Sequence, residues 1–270
     1  MPTADVSGLS LTYRDTGGDG IPVLLLHAFP FDSLMWDPQF DALGERFRLI
    51  APDLKGFGGS DAPDDPSAYS VDSYADEVKG LLDSLGLPKI VLAGLSMGGY
   101  ISFALWRRHR DAIGALVLAD TRAEPDPPEG VERRTAQQET LRSEGIAPLV
   151  EALPQALLAS TTWEKKPDVV ERVKTLMKSN PPSGWIGALE AMKTRPDSTD
   201  DLVSISVPTL VIVGEEDGIT PPESSRKLHE HIGGSRLVVI PEAGHLSNLE
   251  APDAFTGALA DFLVGLDEAP

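Results

Sequence analysis

Several short stretches of this chain are apolar at every position rather than at every second one. Val23-Leu24-Leu25-Leu26, Ile90-Val91-Leu92-Ala93 and Thr209-Leu210-Val211-Ile212-Val213 are the clearest. A strand with one face in water alternates apolar and polar residues, whereas a strand covered on both faces is apolar throughout. Between such strands the spacing becomes helical. From Asp72 to Leu85, residues Tyr74, Val78, Leu81, Leu82 and Leu85 fall on one face, and Gly86 follows where a C-terminal cap glycine belongs. Met97 to about His109, Glu223 to His231 and Pro252 to Leu263 also read as helices. Arg48 to Pro52, Ala115 to Ala119 and Arg236 to Ile240 read as further strands, and the alternating Leu9 to Asp15 as an edge strand. Strands alternating with helices predict an α/β fold, a mostly parallel twisted sheet with helices on both faces.

The middle of the chain breaks this rhythm. From Arg122 to about Ser206 no strand stands out. Glu132 to Ser143, Ala147 to Ala159 and Asp168 to Ser179 read as helices separated by Pro-rich joints such as Pro127-Pro128, Pro154, Pro167 and Pro181-Pro182. An all-helical insertion between two strands is expected to cap the carboxyl edge of the sheet, where ligands bind in open α/β folds. The expected organisation is one core domain from residues 1–121 and 207–270, with a helical cap over 122–206. One such domain accounts for 270 residues, with a core large enough to need no staples.

Composition narrows the chemistry. The chain has no cysteine, which removes thiol nucleophiles, thiolate metal sites and iron–sulfur clusters together. With 41% hydrophobic and 24% charged residues it reads as an ordinary globular chain rather than a disordered one. A net charge of −19 argues against nucleic acid or an anionic membrane as partner, since each needs a positive face. The mostly apolar stretch from Ile90 to Trp106 is broken by Gly94, Ser96, Gly98 and Gly99, so it reads as strand, turn and helix and not as a membrane span. MPTADVSGLSLTYRD has neither a basic n-region nor an apolar h-region, so no secretory signal is expected and the expected compartment is the cytoplasm. The expected partner is a small-molecule substrate, and the expected state a monomer or small homo-oligomer.

Gly94-Leu95-Ser96-Met97-Gly98 is a G-x-S-x-G pattern set directly between the buried strand IVLA and the helix GYISFALWRRH. A nucleophile elbow requires that placement: a tight, strained turn that stands the serine above the sheet edge, at the positive end of the following helix. A serine hydroxyl needs a base, and the base needs an orienting group. Of five histidines, only His245, in Glu242-Ala243-Gly244-His245, lies in a turn after a late strand, downstream of the serine. His109, His229 and His231 lie on helices, and the i, i+2 pair His229/His231 points to different faces, so no metal site is expected there. Candidate acids at strand ends are Asp217 and Asp120, both in the chain order Ser…Asp…His. Asp217 is preferred, leaving Asp120 to bond backbone amides in the loop that opens the cap. Glu215 and Glu216 are expected to face solvent. The developing oxyanion needs two backbone N–H groups. Met97, after the serine, supplies one, and Phe29, in the loop His27-Ala28-Phe29-Pro30, the other. His27 is expected to brace that loop by hydrogen bonding.

HAFPFDSLMW, PDLKGFGGSD, GLSMGGY, GEEDGITPP and AGHLSNLEAP occur in the order found in the α/β-hydrolase superfamily. Over its whole length the chain resembles the compact bacterial carboxylesterases that are similar to 3-oxoadipate enol-lactonases and cofactor-free haloperoxidases. DTRAEPDPPEG and RPDSTD resemble the esterase branch in particular. The resemblance implies an α/β-hydrolase fold and a serine hydrolase without metal or other cofactor. It implies a triad of Ser96, Asp217 and His245, with oxyanion donors Phe29 and Met97. Ala28 stands where the family usually has Gly, which implies an altered loop geometry rather than a lost N–H donor.

The reading that follows is a carboxylesterase for small, neutral, short-chain esters. Its pocket is expected to be an apolar slot with few charges, walled by Phe29, Met97, Ile219 and Leu246, with Leu158, Trp163 or Trp185 added from the cap. An enol-lactonase for a carboxylated ring is the alternative, and needs a cationic clamp, for which Arg122, Arg133, Arg134 and Lys193 are the cap-side candidates. Perhydrolysis is a third reading, resting on Pro30 beside the oxyanion donor. A ligand-binding hydrolase fold without turnover is the non-enzymatic reading.

Overall fold

A computed structural model describes residues 1–20 and 22–267; position 21 and positions 268–270, within the expected core bounds, lie outside the described residues. The chain opens with strands β1 (Thr3–Val6), β2 (Leu9–Asp15) and β3 (Val23–Leu26), then helix α1 (Asp37–Leu43), β4 (Leu49–Pro52), α2 (Val71–Ser84), β5 (Ile90–Leu95), α3 (Met97–His109) and β6 (Ile113–Ala119). Six helices follow: α4 (Pro128–Glu144), α5 (Ala147–Ala152), α6 (Pro154–Leu157), α7 (Ser160–Lys165), α8 (Pro167–Lys178) and α9 (Pro182–Lys193). The chain then re-enters the sheet with β7 (Thr209–Gly214), α10 (Pro222–His231), β8 (Arg236–Ile240), the short α11 (Ser247–Glu250) and α12 (Pro252–Asp267).

The eight strands lie in the order β1-β2-β4-β3-β5-β6-β7-β8. β1, β2 and β4 pair antiparallel in succession, and the rest of the sheet is parallel. All residues of β3, β4, β5 and β7 are buried, as unbroken apolar runs require. Register aligns the carboxyl ends: Leu26 pairs with Gly94, Leu95 with Ala119, and Gly214 with Ile240. The loops after β3, β5, β7 and β8 therefore emerge along one edge.

The six helices between β6 and β7 rest on that edge. Asn180 Nδ2 donates to the Pro30 carbonyl at 3.0 Å, and its Oδ1 accepts from Gly58 N–H at 2.7 Å. Gly184 of α9 lies so close to the loop after β4 that an added Cβ would sit 1.7 Å from the Gly56 carbonyl oxygen. A single apolar cluster runs from the sheet into these helices, through Val173, Met177, Trp185 and Leu189.

The sequence reading needs correction in the helical stretch and at the start of the chain. The helix expected over Ala147–Ala159 is broken into α5 and α6 at Leu153-Pro154 and ends at Leu157, with Leu158 extended. A proline cannot continue a helix, but it suits a first turn, where its missing N–H is not needed. Of the prolines that looked like joints, Pro128, Pro154, Pro167 and Pro182 stand in the first turns of α4, α6, α8 and α9. α9 and α1 had no counterpart in the sequence reading. β1 also went unread, because only Val6 of its four residues is buried. Among the described residues no helix is long and apolar enough to cross a membrane.

Candidate active site

Ser96 stands between β5 and α3 with φ 55° and ψ −110°. That conformation costs a non-glycine residue on the order of 1–3 kcal/mol and persists only where the surroundings enforce it. They do so through the glycines of the turn. A Cβ on Gly94 would lie 2.3 Å from the Gly98 carbonyl oxygen, and one on Gly98 would lie 2.3 Å from that of Leu26. The absence of side chains lets the strand, the turn and β3 meet.

His245 Nε2 lies 2.7 Å from Ser96 Oγ, and its Nδ1 lies 2.8 Å from Asp217 Oδ2. Asp217 is held in turn: Oδ1 accepts from Ile219 N–H at 2.8 Å and Thr220 N–H at 2.9 Å, and the Thr220 hydroxyl donates to Oδ2 at 2.7 Å. All three side chains are buried. Burial works against charge on His245, but the Asp217 charge and hydrogen bond outweigh it and hold the imidazole above its ordinary value. Burial likewise opposes charge on Asp217, yet His245 and Thr220 hold it below the ordinary carboxylate value. Thr220 was not singled out in the sequence. Its signal is its place three residues after the acid, where a hydroxyl can reach back.

Asp120, the other candidate acid, is fully buried with φ 44°. Its Oδ1 accepts from Gly214 N–H at 2.8 Å, and the Ser247 hydroxyl donates to Oδ2 at 2.5 Å. It thus bonds the amide at the end of β7 and not the loop that opens the cap. Burial, with the charge of Asp217 added, pushes its carboxyl well above the ordinary value. Glu215 and Glu216 are exposed, although Glu216 also accepts from Ser160 N–H at 3.1 Å.

Among the described residues neither Phe29 N–H nor Met97 N–H finds a protein acceptor. The loop carrying Phe29 is braced by His27, whose Nδ1 lies 3.0 Å from the Ala28 carbonyl while Nε2 accepts from Leu54 N–H at 3.0 Å.

A cavity of about 450 Å³ opens onto Ser96 and His245. Phe29, Tyr100, Gly218 and Ile219 line it from the core, and Leu153, Ala156, Leu157 and Met192 from the helices above. Of the pocket residues expected from sequence, Ile219 and Phe29 are there; Leu158, Trp163, Trp185 and Leu246 are not, nor is the Met97 side chain. Trp185 is fully buried behind Phe29, its ring edge-on at 5.4 Å. Leu246 and Met97 are fully buried in the apolar cluster, and Leu158 and Trp163 pack into it also.

The expectation of an apolar slot with few charges is overturned as well. Arg122, Arg133, Arg134 and Gln137 line the cavity, while Lys193 instead pairs with Glu190 at 2.6 Å. Asp126, fully buried, ties Arg122 at 2.7 Å, Arg195 at 3.0 Å and Arg134 into one cluster. Burial works against that carboxylate, but Arg134 and Arg195 hold it far below its ordinary value. Arg133 pairs with no carboxylate among the described residues, and Arg122 Nε is buried without a partner. Among the described residues the lining thus holds three guanidiniums, Arg122, Arg133 and Arg134, and no carboxylate, so this wall is positive in a chain of net charge −19. Among the described residues no group of three or more His, Cys, Asp or Glu could hold a metal ion.

Comparison with known proteins covers nearly the whole chain. The family described as alpha/beta hydrolase fold matches residues 21–252. A thermophilic esterase from Thermogutta terrifontis, solved with malate bound, is 42% identical over 98% of this chain and 99% of its own, with a TM-score of 0.94. An enol-lactonase from Burkholderia xenovorans is 33% identical, covering 97% of this chain and 100% of its own, with a TM-score of 0.90. A 3-oxoadipate enol-lactonase from Acinetobacter baylyi is 28% identical over 95% of this chain and 94% of its own.

Proposed function

The chain belongs to the α/β-hydrolase family, and from that premise we propose that it is a serine carboxylesterase, cleaving small carboxylic esters through an acyl-enzyme. The observation that carries this reading is the unbroken chain Ser96–His245–Asp217 at 2.7 and 2.8 Å, opening onto a cavity of about 450 Å³.

Each side chain then has one task. Ser96 Oγ attacks the ester carbonyl as His245 Nε2 takes its proton. Asp217 stays ionised, fixes the tautomer with the proton on Nδ1 and stabilises the imidazolium. The N–H groups of Phe29 and Met97 receive the charge that develops on the carbonyl oxygen. The imidazolium returns its proton to the leaving alkoxide, leaving the acyl group on Ser96. Water, deprotonated by the same histidine, then releases the acid.

The arginine wall favours a second reading of the substrate: an ester or lactone that also bears a free carboxylate. Arg133 is free to pair with it, and guanidinium–carboxylate pairing is strong and directional. Malate, which the Thermogutta esterase holds, is a dicarboxylate.

A rate panel tests both levels. It runs neutral acyl esters from two to twelve carbons (about the range such a cavity admits), a half-ester of a dicarboxylic acid and a carboxylated enol-lactone. Ser96→Ala is expected to lower turnover on every substrate by about a millionfold, and an organophosphate is expected to label Ser96. Activity retained by Ser96→Ala, with label on another serine, refutes the nucleophile. Equal KM for the half-ester and its neutral diester refutes the carboxylate reading and leaves the esterase standing.

A further inference from the structure

His245 sits in a turn whose three successive peptide N–H groups are all engaged. Those of Gly244 and Leu246 donate to Glu250 Oε1 at 2.9 and 3.3 Å, and that of His245 donates to the Leu157 carbonyl at 2.8 Å. The second oxygen of Glu250 reaches the other way. Oε2 accepts from Ala159 N–H at 2.7 Å and from the Thr162 hydroxyl at 2.7 Å. Lys166 Nζ adds a bond to the Glu250 backbone carbonyl at 2.7 Å. The α11 turn sets this geometry, because Glu250 N–H closes onto the Leu246 carbonyl at 2.9 Å and brings the carboxylate under the His245 turn. Contact there is tight: a Cβ on Gly244 would lie 2.6 Å from Ala159 N.

Glu250 is 1% exposed. Burying a carboxylate costs several kcal/mol unless its lone pairs are met, so such a group needs a reason beyond packing. Here one side chain spans two bodies. On one side is the turn that carries His245. On the other is the segment directly after Leu153, Ala156 and Leu157, which form a cavity wall.

We propose that Glu250 is a positioning residue that fastens the His245 turn to this wall, so that the histidine and the substrate-facing surface keep one mutual position. The proposal rests on the reading of His245 as general base. It explains why the carboxylate is split between two partners instead of being spent on the turn alone.

The ionised form fits the site. A proton on Oε1 would meet only N–H groups, although burial pushes the carboxyl above its ordinary value. The charge of Glu250 then adds to those of Asp217 and Asp120 in favouring the imidazolium. Arg122, Arg133 and Arg134, across the cavity, oppose it. Loss of the Glu250 charge must therefore move the acid limb of the rate profile to lower pH.

Two variants test this, each assayed for kcat, KM and the pH dependence of kcat on one ester. Glu250→Gln is expected to lower kcat on the order of ten- to hundredfold, as small misplacements of reacting groups do, and to shift the acid limb to lower pH. Thr162→Val removes one of the two bonds to Oε2, leaves that from Ala159 N–H and the whole Oε1 side intact, and is expected to raise KM severalfold with the acid limb in place. A folded Glu250→Gln protein with kcat within about twofold of the parent and an unmoved acid limb overturns the proposal. Should Glu250→Gln fail to fold, Thr162→Val with unchanged kcat and KM overturns the link on its own. If the parent lacks an acid limb, the histidine reading itself has failed. If it shows one and Ser96→Ala is inactive, only this link has failed.

Discussion

Replacing Asp217 by Asn exchanges one oxygen for an amide nitrogen, and the neighbours decide the outcome. With the side-chain carbonyl left on Ile219 and Thr220 N–H, the new NH2 faces His245 Nδ1. Nδ1 must then accept, so the ring proton moves to Nε2 and points at Ser96 Oγ. That tautomer cannot take the serine proton. In a serine protease the same exchange costs about ten-thousandfold, or roughly 5.4 kcal/mol at 1.36 kcal/mol per decade. The flipped amide restores the tautomer but sets its NH2 against two buried N–H donors, at about 1–3 kcal/mol each. Neither arrangement escapes a loss, and we expect turnover to fall by roughly three to four decades. Asp120→Asn is the matched control. Burial and the charge of Asp217 both disfavour charge on its carboxyl, so a neutral amide of the same shape suits the site. The amide carbonyl can keep Gly214 N–H, and the NH2 can donate to the Ser247 hydroxyl, which accepts as readily as it donates. Its loss should stay under about tenfold, the worth of one ordinary hydrogen bond. Both variants are to be compared by kcat on one ester, with circular dichroism to confirm folding. Greater damage from Asp120→Asn in a folded protein would refute the reasoning and reassign the acid to the end of β6.

Two further outcomes follow from the same geometry. Activity should rise with pH through a single ionisation whose midpoint lies above about 6.5: burial disfavours the imidazolium, but Asp217 holds it above the ordinary value, and His245 must be neutral to accept a proton. A rate that falls as pH rises through that region contradicts a histidine base. Gly98→Ala places a Cβ 2.3 Å from the Leu26 carbonyl oxygen, which is backbone and cannot swing aside. It should destabilise by about 1–3 kcal/mol and lower Tm by several degrees in a thermal melt; an unchanged Tm contradicts so close an approach of helix and strand.

The sheet was legible because burial on both faces leaves an unbroken apolar run, as in Val23–Leu26 and Thr209–Gly214. That Ser96, Asp217 and His245 converge was legible because each lies in a short segment at the carboxyl end of a strand, and register brings those ends to one edge. The cavity was much less so. Which face of a helix looks into a pocket depends on how it docks, and helical spacing alone gives a face without its direction. Leu153, Ala156 and Leu157 share a face at i, i+3, i+4, as do Arg133 and Gln137 at i, i+4, yet nothing local says that these faces meet over Ser96. The large side chains drew attention instead, but Trp185 and Leu246 are core and Trp163 packs against it. Arg122, Arg133 and Arg134 were noticed only as clamp candidates, since a charged residue on a helix commonly faces water. Their role in the wall depends on Asp126, which gathers Arg122, Arg134 and Arg195 across stretches far apart in sequence.

β6 and β7 lie side by side and run parallel, with Leu116 opposite Thr209. A chain leaving the carboxyl end of one must travel back to the amino end of the other. The helices between them are thus part of a bridge that no hairpin can replace. β7 starts opposite Leu116, three residues below the carboxyl end of β6 at Ala119, so the bridge must descend about 10 Å at 3.3 Å per residue. The stretch after α9, including the 3-10 turn Thr199–Ser204, makes that descent. A recombinant that swaps segments between Pro128 and Lys193 keeps the descent intact, and must also keep the Leu157 carbonyl, Ala159 N–H and the Thr162 hydroxyl that hold the His245 turn. The exchange points lie at the two ends of the helical stretch, and the wall it carries stays joined to the core at that seam beneath His245.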